Sequence, residues 1–266
     1  MSEYVHGYSG RESERLSDQA STLAGLLHHD TFYPAGTRVL EAGCGVGAQT
    51  VILAKGSPGA RIISMDISQG SLDQARRRVE KEGISNVQFQ RADIFQLPFQ
   101  EDCFDHIFLC FVLEHLSDPS RAMQELKKIL RPGGTLTVIE GDHGSCYFHP
   151  ETPEALACWR SINIVQAEMG GNSHIGRELY PMMCQAGFRE VKVSPRMVYS
   201  DASRPEMRTG FVENTIIEMV EGVKAQALQM GLVDSVAWIK GIEDLHATAG
   251  PDGSFCYTFF KAVGVK

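Results

Sequence analysis

Two short stretches of the chain hold residue types that can do chemistry. In Val39-Leu40-Glu41-Ala42-Gly43-Cys44-Gly45-Val46-Gly47 an apolar strand runs into a glycine-rich turn and then a helix. Glycines there let a ligand lie directly on the main chain, with the free N–H groups of the helix start close by. The second stretch, Glu140-Gly141-Asp142-His143-Gly144-Ser145, is unusually polar for the end of a buried strand and offers groups able to hold or move a proton. The first stretch alone is ambiguous. Gly43, Gly45 and Ala48 fit the G-x-G-x-x-A dinucleotide pattern, and Asp66 falls about where a ribose-binding acid would sit for nicotinamide or for another adenosine-bearing cofactor.

A strand–helix alternation has to position these groups. After a helix with apolar residues Leu16, Ala20, Leu23, Ala24 and Leu27 on one face, Arg38-Val39-Leu40 reads as a strand and Thr50 to Ala54 as part of a helix. A second strand, Arg61 to Met65, ends at Asp66, and a helix through Leu72, Ala75 and Val79 stops at Gly83, a residue suited to a left-handed cap. The third strand, Val87 to Arg91, stops at Ala92-Asp93, and a fourth, very apolar one runs from Phe104 to Leu113. Asp118-Pro119 starts a helix, aspartate capping free N–H groups and proline suiting the first turn, and a fifth strand spans Leu136 to Glu140. Such repeats, with strands apolar on both faces, imply a mostly parallel sheet.

Beyond residue 142 the alternation loosens. Pro153 to Gly170 and Leu179 to Ala186 read as helical, Val191 to Tyr199 and Phe255 to Val263 as strands, and Glu206 to Met230 and Asp234 to Ala247 as helical patterns between those two strands. The expected fold class is α/β: a Rossmann-like, seven-stranded, mostly parallel sheet with an antiparallel last strand and a helical insertion before it. One domain is expected over 1–266, divided into an N-terminal lid and helix (1–35), a core (36–141), a substrate-side region (142–199), the insertion (200–254) and the last strand (255–266).

With 266 residues, 43% hydrophobic and 22% charged, the chain is long enough to bury a sizeable core. A formal charge of −8 gives no broad attraction to nucleic acid or anionic membrane, so small-molecule partners are expected. No stretch approaches the roughly 20 apolar residues of a membrane span, and Met1-Ser2-Glu3-Tyr4 lacks the basic start of a signal peptide; a cytoplasmic protein is expected. Seven cysteines without a C-x-x-C pair argue against a disulfide framework or a zinc site, and His143 and His149, six apart, lack metal-ligand spacing, so no metal is expected.

Five ordered motifs decide what the glycine turn serves: Glu41 to Gly47 (E-A-G-C-G-V-G), Met65 to Ser68 (M-D-I-S), Ala92 to Ile94 (A-D-I), Phe104 to Leu116 (F-D-H-I-F…L-E-H-L) and Leu130 to Gly134 (L-R-P-G-G). Together they make residues 36–141 resemble the class I S-adenosylmethionine-dependent methyltransferases, particularly the small-molecule branch with the quinone and sterol methyltransferases. The resemblance implies S-adenosylmethionine as cofactor and methyl transfer to a small molecule by direct displacement. It also implies site roles. Gly43, Cys44 and Gly45 would line the methionine end, Glu41 would orient that end, and Asp66 would accept both ribose hydroxyls with Ile67 against the adenine. Asp93 and the Ile94 N–H would read the adenine edge, and Cys110 would offer its carbonyl near the methionine amine. His115 is a further candidate contact. Tyr8, in the aromatic segment Tyr4 to Tyr8, stands where related enzymes carry a lid over the cofactor.

A base is needed only if the acceptor loses a proton at or before the displacement. Candidates are His143, His115 and Glu140, with His143, Tyr147, Arg177 and Tyr199 expected to line the acceptor pocket. The insertion's apolar faces at 206–247 suit a lid or a homodimer contact. Two alternatives remain at this stage: a non-catalytic protein that binds S-adenosylmethionine, and a nicotinamide-dependent oxidoreductase. The latter would need a hydride-transfer base or acid such as a Tyr-x-x-x-Lys pair, and no such pair is expected in this sequence.

Overall fold

Seven strands form one sheet in the order β3-β2-β1-β4-β5-β7-β6 in a computed structural model that describes residues 10–266. The strands are β1 Arg38–Ala42, β2 Arg61–Asp66, β3 Val87–Arg91, β4 Phe104–Cys110, β5 Leu130–His149, β6 Arg189–Ser200 and β7 Ser254–Val265. β1 to β5 pair in parallel, and β7 enters antiparallel between β5 and β6. The chain order turns back beside β1: β2 and β3 lie on one side, β4 and the rest on the other. Open α/β sheets bind ligands at such a point, at the carboxyl ends of the strands.

Helices cover both faces. On one face α1 (Gly10–His28) and α2 (Ala48–Gly56) bury Leu23, Leu27, Leu53 and Ala54 against Val39, Ile62 and Phe108. On the other, α4 (Pro119–Ile129) and α6 (Leu179–Gln185) contribute Ala122, Met123, Leu126, Ile129, Leu179 and Met183 to a core with Leu40, Ile107, Leu109, Leu136 and Val138. Successive strand residues alternate between these two cores, as the two-residue period requires. The helix after β2, α3 (Gln69–Lys81), is capped by Ser68, whose hydroxyl accepts from the Ser71 N–H. α4 starts as its Asp-Pro pair dictates, with the Asp118 carboxylate accepting from the Arg121 N–H.

Two elements differ from expectation. β5 runs on to His149, so the polar stretch at its end is itself strand, paired with β7 and interrupted by a register shift between Asp142 and Tyr147. The helical pattern expected over 206–230 is broken: α7 (Pro205–Met207) leads into a π-helix at Arg208–Ile217, then α8 (Glu218–Gly222) and α9 (Lys224–Gln229). With α5 (Pro153–Glu168) and α10 (Ser235–Ala247), this insertion packs on the α1 face of the sheet, burying Phe211, Val212, Ile216, Trp238 and Leu245 beside Trp159 and Phe255. Its inward apolar face is therefore satisfied within the chain. The described residues contain no helix long and apolar enough to cross a membrane.

Candidate functional site

The glycine turn sits where the topology places a ligand. Gly43 and Cys44 both donate their N–H groups to the Met65 carbonyl at the end of β2, at 2.8 and 2.9 Å. Gly47 has φ +79° and a Cβ there would lie 2.8 Å from the Ala75 backbone, so this position needs glycine for both its conformation and the close approach of α3. Beside the turn, Asp66 Oδ2 accepts from the Gly45 N–H and Oδ1 from the Ser68 N–H, each at 2.9 Å. Each carboxylate oxygen keeps a second lone pair for a ligand. Ile67 is 46% exposed next to it, an aliphatic surface that a flat ring can cover. On the neighbouring strand end, Ala92 donates to the Asp66 carbonyl, and Asp93 Oδ1 accepts from the Phe95 N–H. The Ile94 N–H has no acceptor among the described residues.

Glu41 lies beneath this loop, fully buried. Its Oε2 accepts from Ser64 at 2.6 Å and from Thr50 at 2.7 Å. Burial outweighs those bonds and pushes its pKa up from 4.5 to about 7, with the Asp66 charge adding to the rise. A carboxyl raised in the folded state contributes stability that is complete below about pH 4.5 and is lost as pH climbs through 7. The urea midpoint of the wild type is therefore expected to fall between pH 5 and 7.5. Glu41→Gln, which keeps an acceptor for both hydroxyls but cannot ionise, should remove a share of that slope worth about 3 kcal/mol. Parallel pH profiles of the two proteins would count against a buried, titrating Glu41.

At the end of β4 the chain turns sharply, with Phe111 at φ +58°. Glu140, 0% exposed, holds this turn: its Oε1 accepts from the Val112 and Leu113 N–H groups at 3.0 and 2.7 Å, and Oε2 has no partner among the described residues. Burial, reinforced by the nearby Glu114 carboxylate, raises its pKa well above the usual range, so it keeps its proton. Glu140, expected as a catalytic residue, thus has one carboxyl oxygen committed to the backbone of this turn. Burial likewise raises the Cys110 thiol far above its ordinary pKa, leaving that residue's carbonyl as its useful group.

Glu114 is buried against Gln166, whose Nε2 donates to its Oε2 at 3.1 Å. Burial opposes its charge, but His115, His143, that amide and Arg15 together hold its pKa below the usual value, so Glu114 is the ionised member of the Glu114–Glu140 pair. His115 Nε2 lies 3.7 Å from Glu114 Oε1. His143 stands in an aromatic setting, its ring 5.5 Å from Trp159 and 5.8 Å from Tyr257, with Nδ1 2.6 Å from the Tyr257 hydroxyl. Burial lowers its pKa, so the imidazole is neutral at pH 7.

A Cβ at Gly141 would overlap the Tyr257 hydroxyl oxygen. Gly141→Ala is accordingly expected to destabilise the protein by about 1–3 kcal/mol, the usual cost of overpacking a core. A urea denaturation curve checks it, and an unchanged midpoint would show that the hydroxyl moves aside freely.

The structure brings His143 together with Glu114 and His115 of the turn after β4, but it does not bring the other expected acceptor residues to them. Tyr147 and Tyr199 both pair with Cys256, whereas their neighbours Phe148 and Ser200 pair with Phe255 in the core under the insertion. The two tyrosines therefore face the opposite side of the sheet from His143, 69% and 42% exposed. Period-two alternation and the shift after Asp142 decide this. Arg177 is held by Asp142 in a two-pronged pair, Nε to Oδ2 at 2.7 Å and Nη2 to Oδ1 at 2.8 Å. Tyr8 lies outside the described residues.

The sequence reading passes over Tyr257. Its signal was the inward stripe Phe255, Tyr257 and Phe259, in which one aromatic carries a polar tip. Contrary to the expectation that no Tyr-x-x-x-Lys pair is present, Tyr257 and Lys261 have that spacing. On a strand, residues four apart lie roughly 13 Å from each other. The hydroxyl bonds His143 while Lys261 bonds Asp30 and Thr31, so no such acid is assembled.

Known proteins agree with this geometry. Residues 40–138 match the family described as Methyltransferase domain. The core of the chain is a class I methyltransferase domain. A 37.1 kDa protein of a Streptomyces fradiae transposon is 32% identical over 231 residues, covering 86% of this chain and 60% of that protein. A demethylmenaquinone methyltransferase of Clavibacter sepedonicus is 36% identical over 106 residues, 40% of this chain and 42% of that enzyme. The chain thus spans about half the length of these curated relatives. The phosphoethanolamine N-methyltransferase 2 of Haemonchus contortus, solved with phosphomonomethylethanolamine and S-adenosylhomocysteine, shares the fold at TM-score 0.57 and 18% identity, over 92% of this chain and 52% of that one. The matched stretch ends at residue 138, so Glu140, His143 and Tyr257 lie beyond it.

Proposed function

We propose that the protein transfers a methyl group from S-adenosylmethionine to a small, apolar or weakly acidic acceptor. The observation that carries this reading is Asp66, held at the end of β2 by the Gly45 and Ser68 N–H groups with lone pairs to spare, beside the exposed Ile67. A ribose diol fits those lone pairs and an adenine face fits Ile67. The Asp93 carboxylate and the Ile94 N–H suit the adenine edge, while Gly43 and Cys44 leave main chain open to the methionine end, with the acid Glu41 beneath. When bound, the cofactor supplies a methyl group on a cationic sulfur, the one electrophile the reaction needs.

The chain's own residues then orient, exclude water and handle protons. Cys110 and the turn fixed by Glu140 shape the floor between cofactor and acceptor. Glu114, His115 and His143 supply the polar groups of the acceptor side. Phe111 and Phe259, with rings 5.3 Å apart, and Phe211, 5.9 Å from Phe259, give it an apolar wall. The likeness to a demethylmenaquinone methyltransferase supports a ring-bearing acceptor. A cytoplasmic setting fits such a reaction.

Calorimetric titration with S-adenosylhomocysteine, using NADH as comparison ligand, tests the reading. Micromolar binding of the thioether and none of NADH is expected. NADH binding alone, or binding of neither, would overturn it.

A further inference from the structure

We propose that Tyr257 fixes His143 as the tautomer protonated on Nε2, so that this histidine serves a bound acceptor as a hydrogen-bond donor and not as its base. The inference rests on the acceptor side described above and changes the part His143 plays there.

The bond between His143 Nδ1 and the Tyr257 hydroxyl is 2.6 Å long and buried, so neither group can turn to water instead. Its direction follows from counting donors. Among the described residues, the Tyr257 hydroxyl hydrogen has no acceptor other than Nδ1, and a buried O–H left undonated is costly. Burial raises the Tyr257 pKa well above the ordinary phenol value, so this proton stays on the oxygen. The hydroxyl therefore donates and Nδ1 accepts. Burial also keeps His143 neutral, and a neutral imidazole that accepts on one nitrogen carries its hydrogen on the other.

The backbone that carries the ring is also held. The main-chain N–H of His143 donates to the Ser173 carbonyl at 2.9 Å, and its main-chain carbonyl accepts from Trp159 Nε1 at 3.0 Å. Gly141 leaves the space that the Tyr257 hydroxyl fills. The charged and titratable groups felt by His143 are Glu114, His174, His115 and Asp142. Of these, Glu114 is ionised, and its negative charge favours an imidazole N–H over a bare lone pair turned toward it. An acceptor that reaches His143 must thus present an oxygen or nitrogen lone pair to Nε2–H, and its own proton, if it loses one, goes elsewhere.

Histidine nitrogens report their protonation directly by NMR. The whole chain labelled with 15N-histidine, read by long-range imidazole correlation at pH 7.5, decides the question, with His143→Gln assigning the signal by its loss. Expected are a bare Nδ1 and a protonated Nε2 in the native protein, and transfer of a measurable share of the population to Nδ1–H in Tyr257→Phe. A protonated Nδ1 in the native protein overturns the proposal, as does a His143 signal that Tyr257→Phe leaves unchanged. If Tyr257→Phe does not fold, the native spectrum alone decides. Titrating the same sample with S-adenosylhomocysteine separates this result from the methyltransferase reading, since the tautomer is read whether or not the thioether binds.

Discussion

Asp66→Ala is expected to weaken S-adenosylhomocysteine binding by about a hundredfold or more, the largest effect of any single substitution outside the core. Two charge-assisted hydrogen bonds to the ribose would be lost, each worth roughly 1.5–3 kcal/mol, and a hundredfold needs only about 2.7 kcal/mol. The same substitution frees the Gly45 and Ser68 N–H groups that the carboxylate now holds at 2.9 Å, so the glycine turn loses its brace as well. Asp66→Asn, which keeps one acceptor oxygen, should fall between the two. Calorimetry gives the affinities, and thermal melting shows whether the turn or the whole domain has been disturbed. Wild-type affinity in a folded Asp66→Ala protein would remove this residue from the site.

Glu140→Ala should produce the second large effect, on stability. It leaves the Val112 and Leu113 N–H groups without their acceptor at a fully buried position, costing about 1–3 kcal/mol for each stranded donor. Glu140→Gln is expected to stay within about 1 kcal/mol of wild type, because the native carboxyl is already neutral and the amide oxygen can receive both bonds. Urea denaturation measures both. Equal losses in the two variants would mean that Glu140 is charged in the folded protein and that its pKa is not raised. Since the turn it holds carries Glu114 and His115, S-adenosylhomocysteine affinity should fall with Glu140→Ala and survive Glu140→Gln.

These two residues also mark how far the sequence could be read. Asp66 was legible because it terminates an apolar strand at a fixed interval after a glycine turn, and the backbone alone then carries it to the ligand edge of the sheet. Glu140 was legible as an unusual buried acid but not in its role. Nothing in the local pattern shows that two amides 27 and 28 residues earlier end on its carboxyl oxygen. The same holds for Tyr257 and His143, which lie 114 residues apart and meet only because β7 enters antiparallel beside β5. Tyr147 and Tyr199 were misplaced for a related reason. Register shifts within β5 and at the start of β6 set which face each later residue of those strands occupies, and a shift leaves no mark in composition.

The sequence by itself determined the α/β alternation, the mostly parallel sheet and the five motifs of the methyltransferase core. All of these are local, set by hydrophobic period, capping and turn residues within one strand–helix unit. Only the tertiary structure decided which buried carboxyl keeps a charge, which hydroxyl meets which imidazole, and which face of the sheet the insertion covers. Those outcomes depend on burial and on contacts between distant segments, where moving a strand by one residue exchanges every partner.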